Sequence, residues 1–205
     1  MPQKTIRTKQ YSPAKRLSPE ARKAQLLEHA LAAFADAGIE RAVHADVAAR
    51  ANVSTPTVFK YFPSRDDLLD AILNEIEEEF WGLDSMKPNA VNFNKMLLPK
   101  DLARTLAASI SALCVNRPNL MKVALTWSVA FSSIRKRYQA FEKVRLDDLQ
   151  PSFHAAGLTR SDARVFISSL FLFIRMHFDG TSSEARTRYI ISLGEMFDTL
   201  PLNTK

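Results

Sequence analysis

Cysteine is almost missing from this chain of 205 residues, which contains only Cys114. A single cysteine excludes an intrachain disulfide framework and a metal site built from several cysteines. It also favours a reducing, cytoplasmic setting. No histidine or acid accompanies Cys114 at short range, so we interpret it as a buried small apolar residue rather than a nucleophile.

Glycine and long apolar runs are also scarce. The chain has 5 glycines and no strand-like alternation, which together predict an all-α protein. The longest apolar run, residues 166–178, is interrupted by Ser168, Ser169 and Arg175 and is too short for a membrane span. Residues 1–20 are polar and basic, so no signal peptide is expected.

The patterns that mark catalytic sites are missing as well. The sequence has no Gly-rich phosphate loop, no paired metal ligands and no Ser/His/Asp cluster. His44, His154 and His177 are isolated, and His29 has no second ligand at metal spacing. We therefore expect no enzyme activity, no metal and no cofactor. An enzyme or a small-molecule carrier stays the less favoured alternative.

Positive charge is concentrated at one end of the chain. The formal net charge is +6, and residues 1–65 carry 11 basic against 5 acidic residues, whereas the remaining residues carry 17 of each. Such a distribution indicates nucleic-acid phosphates as the partner, with a merely solubilising basic face as the alternative. Residues 1–17 hold five basic residues, no acid and two prolines. They predict either a plain disordered tail or an arm that places Lys15 and Arg16 in a minor groove.

The stretch 43–67 predicts two short helices around a tight turn. We expect helices over about 45–51 and 55–61, with Asn52 in the left-handed conformation at the turn and Ser54 capping the second helix. Val53, Val58 and Phe62 are predicted to face inward, and the outward residues are Thr55, Thr57, Lys60 and Tyr61. A helix of about seven residues must be held by packing, which presents its outer face rigidly. The pattern is that of a helix-turn-helix, which enters a major groove.

Longer helices flank this motif. The first is predicted from Ser18 to Gly38, and another from a capping box at Ser64 and Asp67 to about residue 81. Arg65, in the first turn of the latter, is predicted to clamp a phosphate. We divide the chain into a basic arm (1–17), a helix-turn-helix domain (18–66) and a helical regulatory and dimerisation domain (67–205). The last follows a break at about 82–100.

The C-terminal part predicts five more helices, at about 101–116, 119–131, 133–156, 161–179 and 183–200, for about nine in all. The last two carry more apolar residues than one buried face needs, so we predict a four-helix homodimer interface. These residues are Phe166, Leu170, Phe173, Ile174 and His177, then Tyr189, Ile190, Leu193, Met196 and Phe197. Other bulky residues form either the core or a cavity for a small apolar effector: Phe80, Cys114, Met121, Leu125, Trp127, Phe131, Phe166 and Leu170.

The segments VAARANVS (47–54) and TVFKYFPSRDDL (57–68) resemble the signature of the TetR family of transcriptional regulators, and the resemblance extends over about residues 19–73. Residues 17–19, 44–46, 57–59 and 61–63 are similar to the LuxR/HapR group of quorum-sensing master regulators. Trp127-Ser128 matches a Trp-Ser pair that lines the effector pocket in that group.

The resemblance implies a homodimer that binds a near-palindromic DNA operator, as a repressor or an activator. It places Ser54, Thr55, Thr57 and Phe59 toward bases, Lys60, Tyr61 and Arg65 toward bases or phosphates, and His44 in the same DNA-contacting set. An Asn is usual in the LuxR/HapR group at Lys60, and a Val-Ala pair at Thr55-Pro56, so the operator sequence is expected to differ. A DNA-binding regulator that has no small-molecule ligand is the second alternative to a regulator controlled by an effector.

Overall fold

The computed structural model describes residues 17–82, 99–128 and 132–199. These residues contain nine α-helices and no β-strand. For residues 80–82, 99, 128, 132 and 133 the structure describes the backbone alone. The helices are α1 (Pro19–Ala37), α2 (His44–Ala51), α3 (Thr55–Tyr61), α4 (Arg65–Gly82), α5 (Pro99–Asn116), α6 (Pro118–Ser128), α7 (Ser132–Ala155), α8 (Arg160–Arg175) and α9 (Ser183–Thr199). The all-α prediction is confirmed; α5 begins two residues earlier than expected, and α8 ends at Arg175, four residues earlier than expected.

Local signals end the N-terminal helices where the sequence predicts. The Ser18 hydroxyl accepts a hydrogen bond from the Ala21 amide at the start of α1, and Gly38 ends that helix with φ of +88°. Asn52 adopts the predicted left-handed conformation, with φ of 52°. One cap differs from the prediction. The Ser54 hydroxyl bonds the Thr57 hydroxyl at 2.8 Å instead of a backbone amide of α3.

Helices α1 to α4 form the N-terminal core, in which α1 packs against α2 and α4, and α3 packs against α2. Val58 and Phe62 anchor α3 and are almost fully buried, as predicted, in the same hydrophobic core as Phe34 of α1 and Val47 of α2. The Ser64–Asp67 capping box also forms, with the Ser64 amide donating to the Asp67 carboxylate at 2.9 Å. A helix as short as α3 is therefore held on its inner side by tertiary contacts.

Helix α4 connects this unit to the C-terminal helices and is held on two faces by arginines. Arg117, between α5 and α6, donates to Glu75 (2.8 Å) and Glu79 of α4 and to Glu28 (2.9 Å) of α1. Burial by itself lowers the pKa of Arg117, but the hydrogen bonds that it donates to Glu75 and Glu79, together with the charges of Glu28 and Glu75, outweigh that effect, so the net pKa shift is upward. The guanidinium therefore stays charged.

Arg137 of α7 forms hydrogen bonds with another face of α4. It donates to Glu77 at 2.9 Å, to Asp70 at 2.7 Å and to Asn74 at 2.6 Å. These three partners are spaced by about one turn each, so they line one side of the helix. Displacement of α4 relative to α7 would therefore break these bonds.

The C-terminal helices pack around aromatic side chains, and α5 lies closely against α9. Gly194 allows that approach, because a Cβ at this position would meet the Cα and Cβ of Lys100 at 2.9 Å. Lys100 also pairs with Asp198 at 3.1 Å. Among the described residues, no helix is long and apolar enough to cross a membrane.

Candidate nucleic-acid interface

The outward side of α3 combines polar and cationic groups. Lys60 and Phe59 are exposed, and Thr55, Thr57 and Tyr61 are partly exposed. Lys60 lies on the face opposite the buried Val58 side chain, whereas Tyr61, three residues from Val58, also packs partly against the hydrophobic core. The predicted outward set of α3 is therefore accessible, whereas its contacts with DNA stay a prediction.

A groove of about 550 Å³ runs between the start of α1 and α3. Its lining includes two cations, Arg22 and Lys60, and the hydroxyl groups of Ser54, Thr57 and Tyr61. Cationic and hydroxyl donors are the groups that bind a phosphodiester backbone. Arg22 was not among the predicted DNA contacts. The signal that could have revealed it is a cation in the first turn of a helix, an unfavourable place unless an anion lies nearby.

His44 does not lie on the surface, so its predicted direct contact with DNA is corrected. The side chain is 4% exposed, and Nε2 donates a hydrogen bond to the Phe62 carbonyl oxygen at 2.8 Å. Its ring stacks on the ring of Phe59, with 4.1 Å between centroids and 7° between planes. His44 therefore packs beneath the exposed surface of α3, against Phe59.

Arg65, which is predicted to clamp a phosphate, forms contacts within the protein. Its Nε donates to the Ala42 carbonyl at 3.1 Å and its Nη2 to the Ile39 carbonyl at 2.6 Å. The guanidinium also lies 5.9 Å from the Phe34 ring centroid. It therefore fastens the loop between α1 and α2 to α4, and its contact with a phosphate stays a prediction. The other predicted cations, Lys15 and Arg16, lie outside the described residues.

The predicted effector residues are spread over the C-terminal core. Met121, Trp127, Phe166 and Cys114 are buried, and Leu125 and Leu170 are partly buried. Phe131 and the side chain of Phe80 lie outside the described part of the chain.

The aromatic residues among them belong to two separate clusters. Trp127 contacts Tyr138 and Phe141 with centroid distances of 5.7 and 5.3 Å. Phe166 instead packs against Phe153 and Phe197. The structure therefore does not gather the two predicted pocket residues Trp127 and Phe166 into one cluster.

The buried thiol fits the interpretation of Cys114 as a small apolar residue. Burial raises the pKa of the Cys114 thiol to about 11, although the charge of Arg186 acts in the opposite direction. The thiol therefore stays protonated at neutral pH. No group of three potential metal ligands occurs among the residues that the structure describes.

The apolar residues predicted for the dimer interface belong largely to the core of one chain. Phe166, Phe173 and Ile174 of α8 and Ile190, Leu193 and Phe197 of α9 are buried. Leu170, His177 and Tyr189 are partly buried, and Met196 is 40% exposed. The exposed apolar residues on these helices are mostly different ones: Val165, Leu172 and Ile191, with Met196. The six buried residues are therefore corrected as interface residues, whereas the remaining four residues and the choice of helices stay predictions.

The geometry of α2, the left-handed turn and α3 defines a helix-turn-helix DNA-binding domain, which is followed by a helical C-terminal domain. Comparison with known proteins identifies the family. The model for bacterial regulatory proteins of the tetR family matches residues 26–72. The HTH-type transcriptional regulator BetI of Burkholderia lata is 30% identical over 156 residues, covering 74% of this chain and 77% of BetI.

The chain belongs to the TetR family and is a DNA-binding transcriptional regulator. It is also similar to the HTH-type transcriptional regulator LuxR of Vibrio harveyi, with 54% identity over 68 residues that span 33% of each chain. The solved structure of AibR in complex with isovaleryl coenzyme A and operator DNA has the same fold. Its TM-score is 0.67 at 18% identity, covering 86% of this chain and 98% of AibR. BetI and LuxR are named as transcriptional regulators rather than enzymes, in agreement with the prediction from the sequence.

Proposed function

We propose that the protein binds a near-palindromic operator as a homodimer, with α3 of each protomer in the major groove of one half-site. The observation that carries this proposal is the rigid mounting of α3. Val58 and Phe62 hold its inner side in the core, so Thr57, Lys60 and Tyr61 are presented in a fixed arrangement. The net charge of +6 in residues 1–65 supplies the attraction to phosphates.

Selection from a random DNA pool with the purified protein tests the function. We expect recovered sequences to contain two related half-sites with centres about 10 base pairs, or a multiple of that, apart. We also expect the affinity to fall steeply with salt, because each neutralised phosphate releases counterions. A pool without enrichment, or an affinity that does not change with salt, would contradict the proposal.

Within the interface, Lys60 is proposed to read a base and Tyr61 to contact the backbone. Lys60 is exposed on α3, and lysine donates to the acceptors of guanine in the major groove. We expect Lys60→Ala to change the preferred base at one or two operator positions. Tyr61→Phe, in contrast, should weaken binding to all sequences by a similar factor. Selection with both variants measures this, and an unchanged preference for Lys60→Ala would refute the base-reading role.

The dimer is proposed to form through α8 and α9. Val165 and Leu172 lie two turns apart on one face of α8 and are 50% and 48% exposed. Between them lies a depression of about 540 Å³, which is also lined by Arg164 and by the small side chains of Ser161, Ser168 and Ser169. An exposed apolar face of this kind is typical of a surface that another protein covers.

Sedimentation measures the dimer contact directly. Val165→Glu places a charge in the proposed interface and should shift the protein toward monomers. The matched control is Val115→Glu on α5, where the side chain is 76% exposed and the same charge should leave the dimer intact. A Val165→Glu protein that stays dimeric would place the interface elsewhere.

A small apolar effector is proposed to act through α4. The bonds of Arg117 and Arg137 to this helix connect the C-terminal domain to α1 and the reading unit. A ligand between the C-terminal helices could therefore change the spacing of the two α3 helices. A regulator without a small ligand is the alternative, in which DNA affinity would not respond to any compound.

The resemblance to the LuxR/HapR group extends the proposal to a quorum-sensing role in the cytoplasm. Deletion of the gene followed by measurement of density-dependent expression tests that role. Expression that stays density-dependent without the protein would contradict it.

A further inference from the structure

Phe59 is the large apolar side chain that α3 exposes. It is 45% exposed, on a face where its neighbours carry hydroxyl, phenol and ammonium groups. The major groove displays mostly hydrogen-bonding atoms at the base edges, and the apolar exception is the C5-methyl group of thymine. An apolar ring on the reading helix therefore matches one of the four bases better than the other three.

The Phe59 ring stacks on the ring of His44. The two rings are parallel, with 7° between their planes and 4.1 Å between centroids, so one face of Phe59 is covered while the side chain as a whole stays 45% exposed. His44 is itself held, because its Nε2 donates to the Phe62 carbonyl at 2.8 Å and its side chain is 4% exposed. The Phe62 carbonyl lies just beyond the last residue of α3, so the bond fastens the start of α2 to the end of the reading helix.

We propose that Phe59 selects thymine at one position of each half-site by contact with its methyl group, and that His44 is the residue that positions the ring. This inference rests on the proposed binding of operator DNA by α3. It assigns the kind of contact and the base, and it gives the buried His44 a part in specificity without any contact between His44 and DNA.

The test replaces each thymine of the selected operator in turn with deoxyuridine, which removes only the methyl group. Burial of one methyl corresponds to about a fourfold change in affinity, so substitution in both half-sites should weaken wild-type binding about fifteenfold at one position. Phe59→Ala should bind the thymine and deoxyuridine operators equally. Val115→Ala, which truncates an exposed apolar residue on α5, should keep the wild-type difference.

Two substitutions separate positioning by His44 from a purely structural role. His44→Gln can keep a donor for the Phe62 carbonyl but removes the ring beneath Phe59, so the thymine-to-deoxyuridine ratio should fall. His44→Phe keeps a stacked ring and should restore that ratio, even where overall stability is lower. A loss of stability alone would weaken binding to both operators by the same factor and leave their ratio unchanged.

The outcomes distinguish this inference from the function on which it rests. If wild type shows no selective DNA binding, the proposed function fails. If wild type binds selectively but tolerates deoxyuridine everywhere, or if Phe59→Ala keeps the sensitivity, the thymine contact is wrong and the function stands. A His44→Gln protein with the wild-type ratio removes the positioning role. Circular dichroism confirms that each variant is folded, and the deoxyuridine series on wild type needs no variant.

Discussion

Replacement of Arg117 by methionine tests the connection between the two domains. Methionine keeps much of the apolar stem but removes the charge, which leaves Glu28, Glu75 and Glu79 close together without their cation. The Arg117 side chain is 22% exposed, and its partners Glu75 and Glu79 are 27% and 31% exposed, so water screens these two pairs only partly. Glu28 is 66% exposed and contributes little.

The expected magnitude follows from these exposures. Hydrogen bonds to charged groups contribute about 1.5–3 kcal/mol when well protected, and we assign about 1 kcal/mol to each of the two half-buried pairs. The exposed pair with Glu28 adds about 0.5 kcal/mol or less. Arg117→Met should therefore lower the free energy of unfolding by about 2 kcal/mol, or Tm by about 4–8 °C for a chain of this length.

Urea unfolding at a fixed protein concentration measures the loss, because a dimer's stability depends on concentration. Arg188→Met is the matched control, since Arg188 and Glu184 are 73% and 80% exposed and 3.9 Å apart, so its effect should stay within about 0.5 kcal/mol. The difference between Arg117→Met and wild type should shrink at about 0.5 M salt, where charge interactions are screened. Equal losses for the two arginine variants would refute the reasoning.

Three other predictions concern packing in the C-terminal domain. Gly194→Ala should lower the free energy of unfolding by about 1–3 kcal/mol, because the new methyl would overlap Lys100, whereas Ser192→Ala on the exposed face of α9 should change it little. Urea unfolding compares them, and equal stabilities would show that the helices separate at little cost. Cys114 should resist alkylation at pH 8 until the protein unfolds, since a pKa of about 11 keeps the thiol protonated; rapid labelling of native protein would contradict this. Trp127→Ala should cost about 3–5 kcal/mol because that side chain is buried core, and a loss below about 1 kcal/mol would indicate a preformed cavity beside it.

Local sequence was sufficient to predict the helices and the class of binding site. Ser18, Gly38, Asn52 and the Ser64–Asp67 pair act within a few residues of their own positions, so their role can be predicted without knowledge of the fold. The same holds for the inward direction of Val58, which follows from helical periodicity. The concentration of positive charge in residues 1–65 is likewise independent of packing.

The tertiary structure decided where individual polar side chains point. His44 bonds a carbonyl 18 residues away, and Arg65 bonds carbonyls 23 and 26 residues away, so neither partner is visible in the local pattern. Arg117 reaches Glu28 across 89 residues. A basic or aromatic residue beside a recognition helix has the same sequence signature whether it faces DNA or the protein interior.

The surplus of apolar residues on α8 and α9 shows the same limit. Periodicity indicates that a helix has two apolar sides but does not say which side meets its own chain. Phe166 and Phe197 join Phe153 in the core, and Val165 and Leu172 stay exposed. Helix boundaries and charge thus depend on neighbours along the chain, whereas burial depends on neighbours that only folding brings together.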